Sequence, residues 1–506
     1  MPGQNFSFYC ALMHQIAYIP VETQTHGERM DAIIDAFQKI PHLAIAIDPE
    51  QMRVQFNRYF QREYPHRRLT PTQCQIHRLY YKPRKGCQIT YLLTGYDEGT
   101  GSIFHQWFVG KLSAGGRDSL LRVKPALEVK SDSGGWKPLS VWHELNMLLY
   151  AFPNDPKIPH LGKLIEPTFI KEQIRANLRG LGLEGDWDCR HLSWDYIKYM
   201  PGKRCTLKYD VDLENRHHEN RHFTIYNKTY QNFHSRYVYR VLKSIRNTSS
   251  FFEGKLMIPE PVAHIDPIHS FWQLGWKGEA LGQAMQKSAA SLISEPALMQ
   301  NVAKWLASLH QTKLVGIALH QSPGVNAGFQ HSKEDVVHIL EFLPERSSFL
   351  TREIERLGLL LEKLPLRGRQ TTIHGTFKIA QVLYHGDNIA VIDFDSAGVG
   401  NPHLDVAEFL ASLAYLLISH DVAAQKLIFA METFLNTYQE NIPWKLNFCN
   451  IAAYFAIFLL GKIHSSLKRL ESTAIQHLPL AFEWLHHDLT LGRYTHRNFM
   501  TIFKDY

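Results

Sequence analysis

The chain repeats itself, and no other feature constrains its fold as strongly. YKPRKGCQITYLL begins at Tyr81 and YMPGKRCTLKYDV at Tyr199, so Tyr, Pro, Lys, Cys and Tyr recur in register 118 residues apart. Each copy reads as an alternating apolar run, a turn with Pro, Gly and two basic residues, then another alternating run. That is the pattern of a β-hairpin. The likeness continues in order. FVGKL, with Lys111, and IYNKTY, with Lys228, end the next strand-like run. A helix is expected next in each copy, over PLSVWHELNMLLYAF in the first and NFHSRYVYRVLKSI in the second. GKLIEP at 162–167 and GKLMIPEP at 254–261 then close the series. The offset falls to 92 residues at that last element, so the first copy carries extra sequence, mostly SAGGRDSLLRVKPALEVKSDSGG. Four shared elements in one order point to duplication of a β-rich module.

The flanks read differently. Residues 1–70 are expected to be mostly helical, ERMDAIIDAFQKI being amphipathic, with no visible counterpart in the repeat. WQLGWKGEALGQAM at 272–285 reads as a strand leading into a Gly-containing linker. Beyond it, ALMQNVAKWLASLHQ (297–311), DVVHILEFL (335–343) and VAEFLASLAYLLI (406–418) carry apolar residues at helical spacing. The expected organisation is a helical segment at 1–70, a small β module at 71–170, a second at 171–275 and a helical lobe at 276–506.

The chain has 506 residues, 45% hydrophobic and 20% charged, as in a protein with a large buried core. A net charge of +7 with scattered basic residues gives no reason to expect nucleic-acid binding. Six Cys without a CxxC pair suit neither a disulfide framework nor structural zinc. His217, His218 and His222 form the densest His cluster and read as solvated loop residues. The most apolar segment, IAAYFAIFLLG at 451–461, is shorter than the roughly 20 residues of a membrane span. No signal peptide is read at the N-terminus. A cytoplasmic protein with no membrane partner is therefore expected.

TTIHGTFKIAQVLYHGDNIAVIDFDSAG, residues 371–398, contains HGT at His374 and HGD at His385. LASLHQ at 306–311 precedes it, and IDFDSAGVGNPHLDVAEF ends it. Together with the strand-borne Lys, these resemble the aminoglycoside phosphotransferase family and its choline-kinase-like and maltokinase-like relatives, over about residues 190–420. The resemblance implies an α+β, two-lobed protein-kinase-like fold, an antiparallel β small lobe and a mainly helical large lobe, preceded here by a duplicated small-lobe-like module. IHGTFKIAQVLY resembles the catalytic loop, HGDxxxxN in the family. IDFD resembles the metal-binding segment, 19 residues after His374.

The carry-over implies roles for single residues. Lys228 would hold the α- and β-phosphates of ATP; an exposed strand Lys is the alternative, which its position disfavours. Lys203 and Arg204, in the turn beginning at Pro201, lie where the nucleotide flap lies; an ordinary hairpin turn is the alternative. Asp393 would bind Mg²⁺ bridging the phosphates, with Gln381 as second ligand where most members have Asn. Asp395 would assist the metal or satisfy local amides. Lys378 would neutralise charge on the transferred group. His374 and Asp405 would be structural, Asp405 bracing the catalytic loop.

The pattern breaks at the base. The Asp of HGD should stand at 376, where this chain has Thr376. A hydroxyl has no useful basicity near neutral pH, and loss of a general base typically costs about 10²–10⁴ in rate. The second triplet does not replace it. His385 is only eight residues before Asp393, and Gly, Asp and Asn suit a tight turn between two apolar strands. The segment 232–245 also lacks the acidic residue that pairs with the strand Lys in many kinases, whereas the first copy has both Lys111 and Glu144. Three functions fit: an impaired, pseudokinase-like nucleotide-binding protein with an unknown small-molecule or protein partner; an active ATP-dependent phosphotransferase acting on a small-molecule or sugar hydroxyl, by positioning or by a base outside the motif; and an interaction scaffold that binds no nucleotide.

Overall fold

The computed structural model describes residues 40, 42–83, 85–113, 135–284, 295–364, 368–420, 424–470, 474–475, 477–491 and 493–503. Most of the amphipathic stretch at 28–40, and most of the extra sequence of the first copy, lie outside them. The described residues fall into two compact units. The first runs to Gly162 and includes 338–347 and the described part of 464–476; the second holds the rest.

In the first unit, helix α1 (Pro49–Glu63) starts at Asp48, whose Oδ1 accepts from the N–H groups of Glu50 (2.9 Å) and Gln51 (3.0 Å). Met52, Phe56, Tyr59 and Phe60 recur at helical spacing and are buried. Phe56 packs on Tyr91 and Phe108 (ring centroids 5.5 and 5.2 Å). Those rings belong to an antiparallel sheet of β1 (Leu69–Lys82), β2 (Gly86–Asp97), β3 (Ser102–Ser113), β4 (Leu139–Trp142) and β5 (Met147–Ala151), in the order β1-β2-β3-β5-β4.

The helix expected over 138–152 is therefore absent. The segment is the β4–β5 hairpin, with Met147–Ala151 paired to β3. Its run Met-Leu-Leu-Tyr-Ala is β-compatible and almost wholly buried, and Asn146 turns the chain in the left-handed region (φ 51°), which ends any helix.

The second unit repeats this plan. Helix α2 (Pro167–Ala176) precedes β6 (Trp187–Met200), β7 (Arg204–Asn215), β8 (Asn220–Tyr230), β9 (Pro261–Ile265) and β10 (Ser270–Leu274), in the order β6-β7-β8-β10-β9. The β9–β10 hairpin also turns through one left-handed residue, His269 (φ 50°). Lys111 lies opposite Gln88 as Lys228 lies opposite Thr206, the same pairing in the two sheets. Tyr91 donates to the Ala46 carbonyl and Tyr209 to the Leu164 carbonyl, both at 2.8 Å and both 45 residues upstream. Residues 42–63 thus have a counterpart, 160–176, which the sequence alone had not revealed. GKLIEP belongs to that lead-in, whereas GKLMIPEP stands before β9, so their likeness marks no equivalent position. Helix α3 (His234–Arg246) follows β8 as expected.

The chain then enters the helical lobe through β11 (Glu279–Ala280) and α4 (Pro296–Gln311). Helices α5 (Gly324–Leu340) and α6 (Ser347–Glu362) lead to β12 (Thr371–Ile373), β13 (Val382–His385), β14 (Asn388–Val391) and β15 (Gly398–Gly400). β11 pairs with β13, and β12 with β15. Helices α7 (His403–His420), α8 (Ala424–Glu440), α9 (Phe448–Arg469) and α10 (Leu478–Thr490) complete the lobe. Trp305 stacks on Phe377 (5.9 Å), which meets Phe409, which meets Phe434 (5.4 and 4.4 Å), so the loop after β12 is anchored by aromatic packing. By length and composition α9 is apolar enough to cross a membrane. It is instead a core helix over much of its length, Phe455 packing on Phe499 at 5.4 Å.

Candidate active site

HGD at 385–387 is a two-residue hairpin turn. His385 pairs with Asn388, Gly386 takes φ 56°, and Asp387 is exposed. HGT at 374–376 sits where chemistry can be organised. The His374 and Gly375 N–H groups donate to the two carboxylate oxygens of Asp405, at 2.6 and 2.8 Å. Asp405 is fully buried and is held from behind by His310 Nε2 (3.1 Å), whose Nδ1 faces the Tyr438 hydroxyl (2.6 Å). Thus the Leu-His at the end of α4 ties that helix to the loop brace. His374 Nε2 donates to the Ile392 carbonyl (3.1 Å), and burial holds its pKa below the usual value, so the ring is a neutral spacer. Gly375 has φ 80°, and a Cβ there would stand 2.1 Å from the Ser396 carbonyl oxygen. Only glycine lets the loop approach the IDFD segment this closely.

Across from the loop, Lys228 at the end of β8 reaches both carboxylates of IDFD. Its Nζ donates to Asp393 Oδ1 and, at 2.5 Å, to Asp395 Oδ1. Arg204, at the start of β7, pairs with Asp395 and lies 3.7 Å from Asp393. The Tyr230 hydroxyl donates to Asp395 Oδ1 (2.7 Å), and His234 Nε2 to the Asp395 carbonyl (2.9 Å). Burial alone would raise the Asp393 pKa. Lys228 and Arg204 outweigh it and hold the carboxyl well below the usual range. Asp393 is therefore an anion at every physiological pH, and no proton must leave before a cation binds.

The missing helical acid is explained here: the partners of Lys228 are the IDFD carboxylates themselves. Glu144 does not play that role for Lys111 either. It stands in an exposed turn, bonded to Arg62, while Lys111 lies over the Tyr150 ring (4.6 Å). Lys203 is exposed, and of the PGKR turn only Arg204 is brought to the carboxylates. Tyr230 and His234 were missed by sequence reasoning. The first is signalled only by its position two residues after Lys228, on the same strand face.

Thr376, Lys378 and Gln381 are linked. The Gln381 amide oxygen accepts from the Lys378 N–H (3.1 Å), and its nitrogen donates to Thr376 Oγ (3.3 Å). Among the described residues no group of three or more His, Cys, Asp or Glu converges as a metal cage. That suits Mg²⁺, which takes one or two carboxylates and fills its shell with waters and phosphates. Asp393 and the Gln381 amide supply hard oxygen of the right kind.

Residues 256–427 match the model of the phosphotransferase enzyme family. Over that stretch the chain is similar to the phosphotransferase enzyme family. The phosphotransferase-family match spans β9 to the start of α8, with the loop, Asp393 and Asp405 inside it. No curated protein matches. Similar solved structures include a thermostable aminoglycoside phosphotransferase mutant in apo form, at 15% identity and TM-score 0.41, covering 61% of this chain and 97% of that one. A choline kinase from Cryptosporidium parvum Iowa II aligns at 13% identity and TM-score 0.42, covering 64% and 95%. A choline kinase from Streptococcus pneumoniae aligns at 13% and 0.39, covering 64% and 98%.

One buried acid stands beside the loop. Glu408 is 7% exposed, and its Oε2 has no hydrogen-bond partner. Burial raises its pKa to about 7, although Lys462 and Lys378 pull the other way. The folded protein then holds the Glu408 proton where the unfolded chain has lost it, between about pH 4.3 and 7. Stability falls as pH rises through that window. Glu408→Gln removes the penalty, and above pH 7 the variant should be more stable by roughly 3–4 kcal/mol. Urea titrations of both proteins at pH 4.5 and 8 check this; an equal gap at both pH values would contradict it.

Proposed function

We propose that the second unit binds ATP·Mg²⁺ and transfers its γ-phosphoryl group slowly, because the loop lacks its carboxylate base. The observation that carries this reading is the convergence of Lys228 and Arg204 on Asp393 and Asp395. Two cations and two carboxylates in one partly buried site form a neutral set ready to exchange partners. On nucleotide binding, Lys228 and Arg204 trade carboxylate oxygens for phosphate oxygens, which frees Asp393. Asp393 and Gln381 would then hold the metal, which when bound neutralises charge developing on the phosphates. Lys378 adds a third cation at the loop.

Positioning and charge neutralisation supply much of phosphoryl transfer, so this set retains binding and loses rate rather than affinity. An active phosphotransferase on a small-molecule or sugar hydroxyl is the second reading, favoured by the orphaned Glu408 carboxylate beside the loop. The matched registers of the two sheets support a duplicated small lobe, with the nucleotide assigned to Lys228 rather than Lys111.

Thermal melts test the first reading. At 100 times Kd, ATP·Mg²⁺ should stabilise the native protein by about 2.7 kcal/mol. The shift should vanish in Lys228→Ala and persist in Lys111→Ala. No shift in the wild type would favour a scaffold that binds no nucleotide.

A further inference from the structure

We propose that Glu408 is the proton acceptor of this site, taking the part that a carboxylate at position 376 would play. The inference rests on the nucleotide-binding reading and deepens it.

The position is set by α7. Asp405 turns to the N–H groups of His374 and Gly375, and Ser412 Oγ accepts from the Ile379 N–H at 3.2 Å. Those contacts bracket the loop from its first residue to its sixth. At 100° per residue, Glu408 lies within about 60° of both Asp405 and Ser412 on the helix face. Phe409 packs on Phe377 at the other side of that face. Glu408 thus lies on the α7 face that carries the loop, and the loop's Lys378 acts on it electrostatically. The charged groups acting on it are Lys462 from α9, Lys378 from the loop and Asp405 on its own helix.

A carboxyl this deeply buried, with an oxygen left unpaired, is expensive to keep for packing alone. Among the described residues no hydrogen bond of Glu408 braces the fold, unlike Asp405, which satisfies two backbone groups and His310. An acid poised near neutral pH is also the form in which a general base works best. Lys378 and Lys462 supply the positive field that keeps part of it ionised.

The step balances simply. The acceptor oxygen forms its bond to the γ-phosphorus, and the bond from that phosphorus to the β–γ bridging oxygen breaks. ADP leaves with the electron pair. The acceptor proton passes to Glu408 and is released to water after the product leaves.

The test uses the full chain with ATP·Mg²⁺ and water as acceptor. Phosphate release is followed in the wild type, Glu408→Gln, Thr376→Asp and the double variant, with ATP affinity measured calorimetrically in each. Glu408→Gln should lower kcat by about tenfold or more, leave ATP affinity unchanged and abolish the rise of kcat around pH 7. Thr376→Asp should restore turnover in the double variant, which a merely structural loss would not allow. The wild-type pH profile needs no variant: kcat flat between about pH 5.5 and 8.5 overturns the assignment. So does a Glu408→Gln enzyme with unchanged kcat, or wild-type release no greater than that of Asp393→Asn while ATP still binds. Failure of the wild type to bind ATP refutes the nucleotide reading itself.

Discussion

Thr376→Asp is expected to raise phosphoryl transfer by about 10²–10⁴-fold, the usual contribution of a positioned general base. The structure makes room for the change. Thr376 is half-buried, and its Oγ already accepts from the Gln381 amide (3.3 Å), a contact that a carboxylate oxygen can keep. The loop that would carry the new base is fixed by Asp405 and by the close approach of Gly375 to Ser396. The gain should fall at the lower end of the range, because Glu408 already accepts part of the proton load. Phosphate release under saturating ATP·Mg²⁺ is the measurement. An unchanged rate would mean that position 376 does not face the acceptor.

The second large effect concerns stability. Asp405→Ala should cost about 3–5 kcal/mol, the range for removing one partner from a buried charged network. It leaves two buried N–H groups without acceptors and strips His310 of its carboxylate. Asp387→Ala makes the contrast. It changes the HGD triplet that looks catalytic, yet the side chain is exposed on a hairpin, so the cost should lie within about 0.5 kcal/mol. Urea midpoints of the two variants give the answer. Equal costs would contradict the assignment of the two triplets.

The sheets were legible because hairpins are local. Alternation, turn residues and the 118-residue register needed no tertiary information. The β4–β5 hairpin was not, because PLSVWHELNMLLYAF is apolar enough to suit a helix or a strand. Pairing with β3, a long-range contact, decided between them. The counterpart of residues 42–63 was hidden for a similar reason. HLAIAIDP and HLGKLIEP share His, Leu, Ile and Pro in register, but the match is short and lies apart from the hairpin repeat, and what equates them is a tyrosine hydroxyl 45 residues away.

In the site, the motif residues Lys228, His374, Asp393 and Asp405 were visible by type and spacing. Their partners were not. That Arg204 rather than Lys203 reaches the carboxylates depends on which residue opens β7, and sequence bounds a strand only to within a few residues. Glu408 was invisible because α7 is apolar on every side, so periodicity gave no sign of which face meets the loop.

The central claim is that Lys228, Arg204, Asp393 and Gln381 form a working nucleotide site despite Thr376. Calorimetric titration with ATP, with and without Mg²⁺, tests it most directly. The account predicts saturable, Mg²⁺-dependent binding that Asp393→Asn weakens at least about tenfold, roughly 1.4 kcal/mol. Binding that ignores both Mg²⁺ and Asp393, or no binding at all, would contradict it.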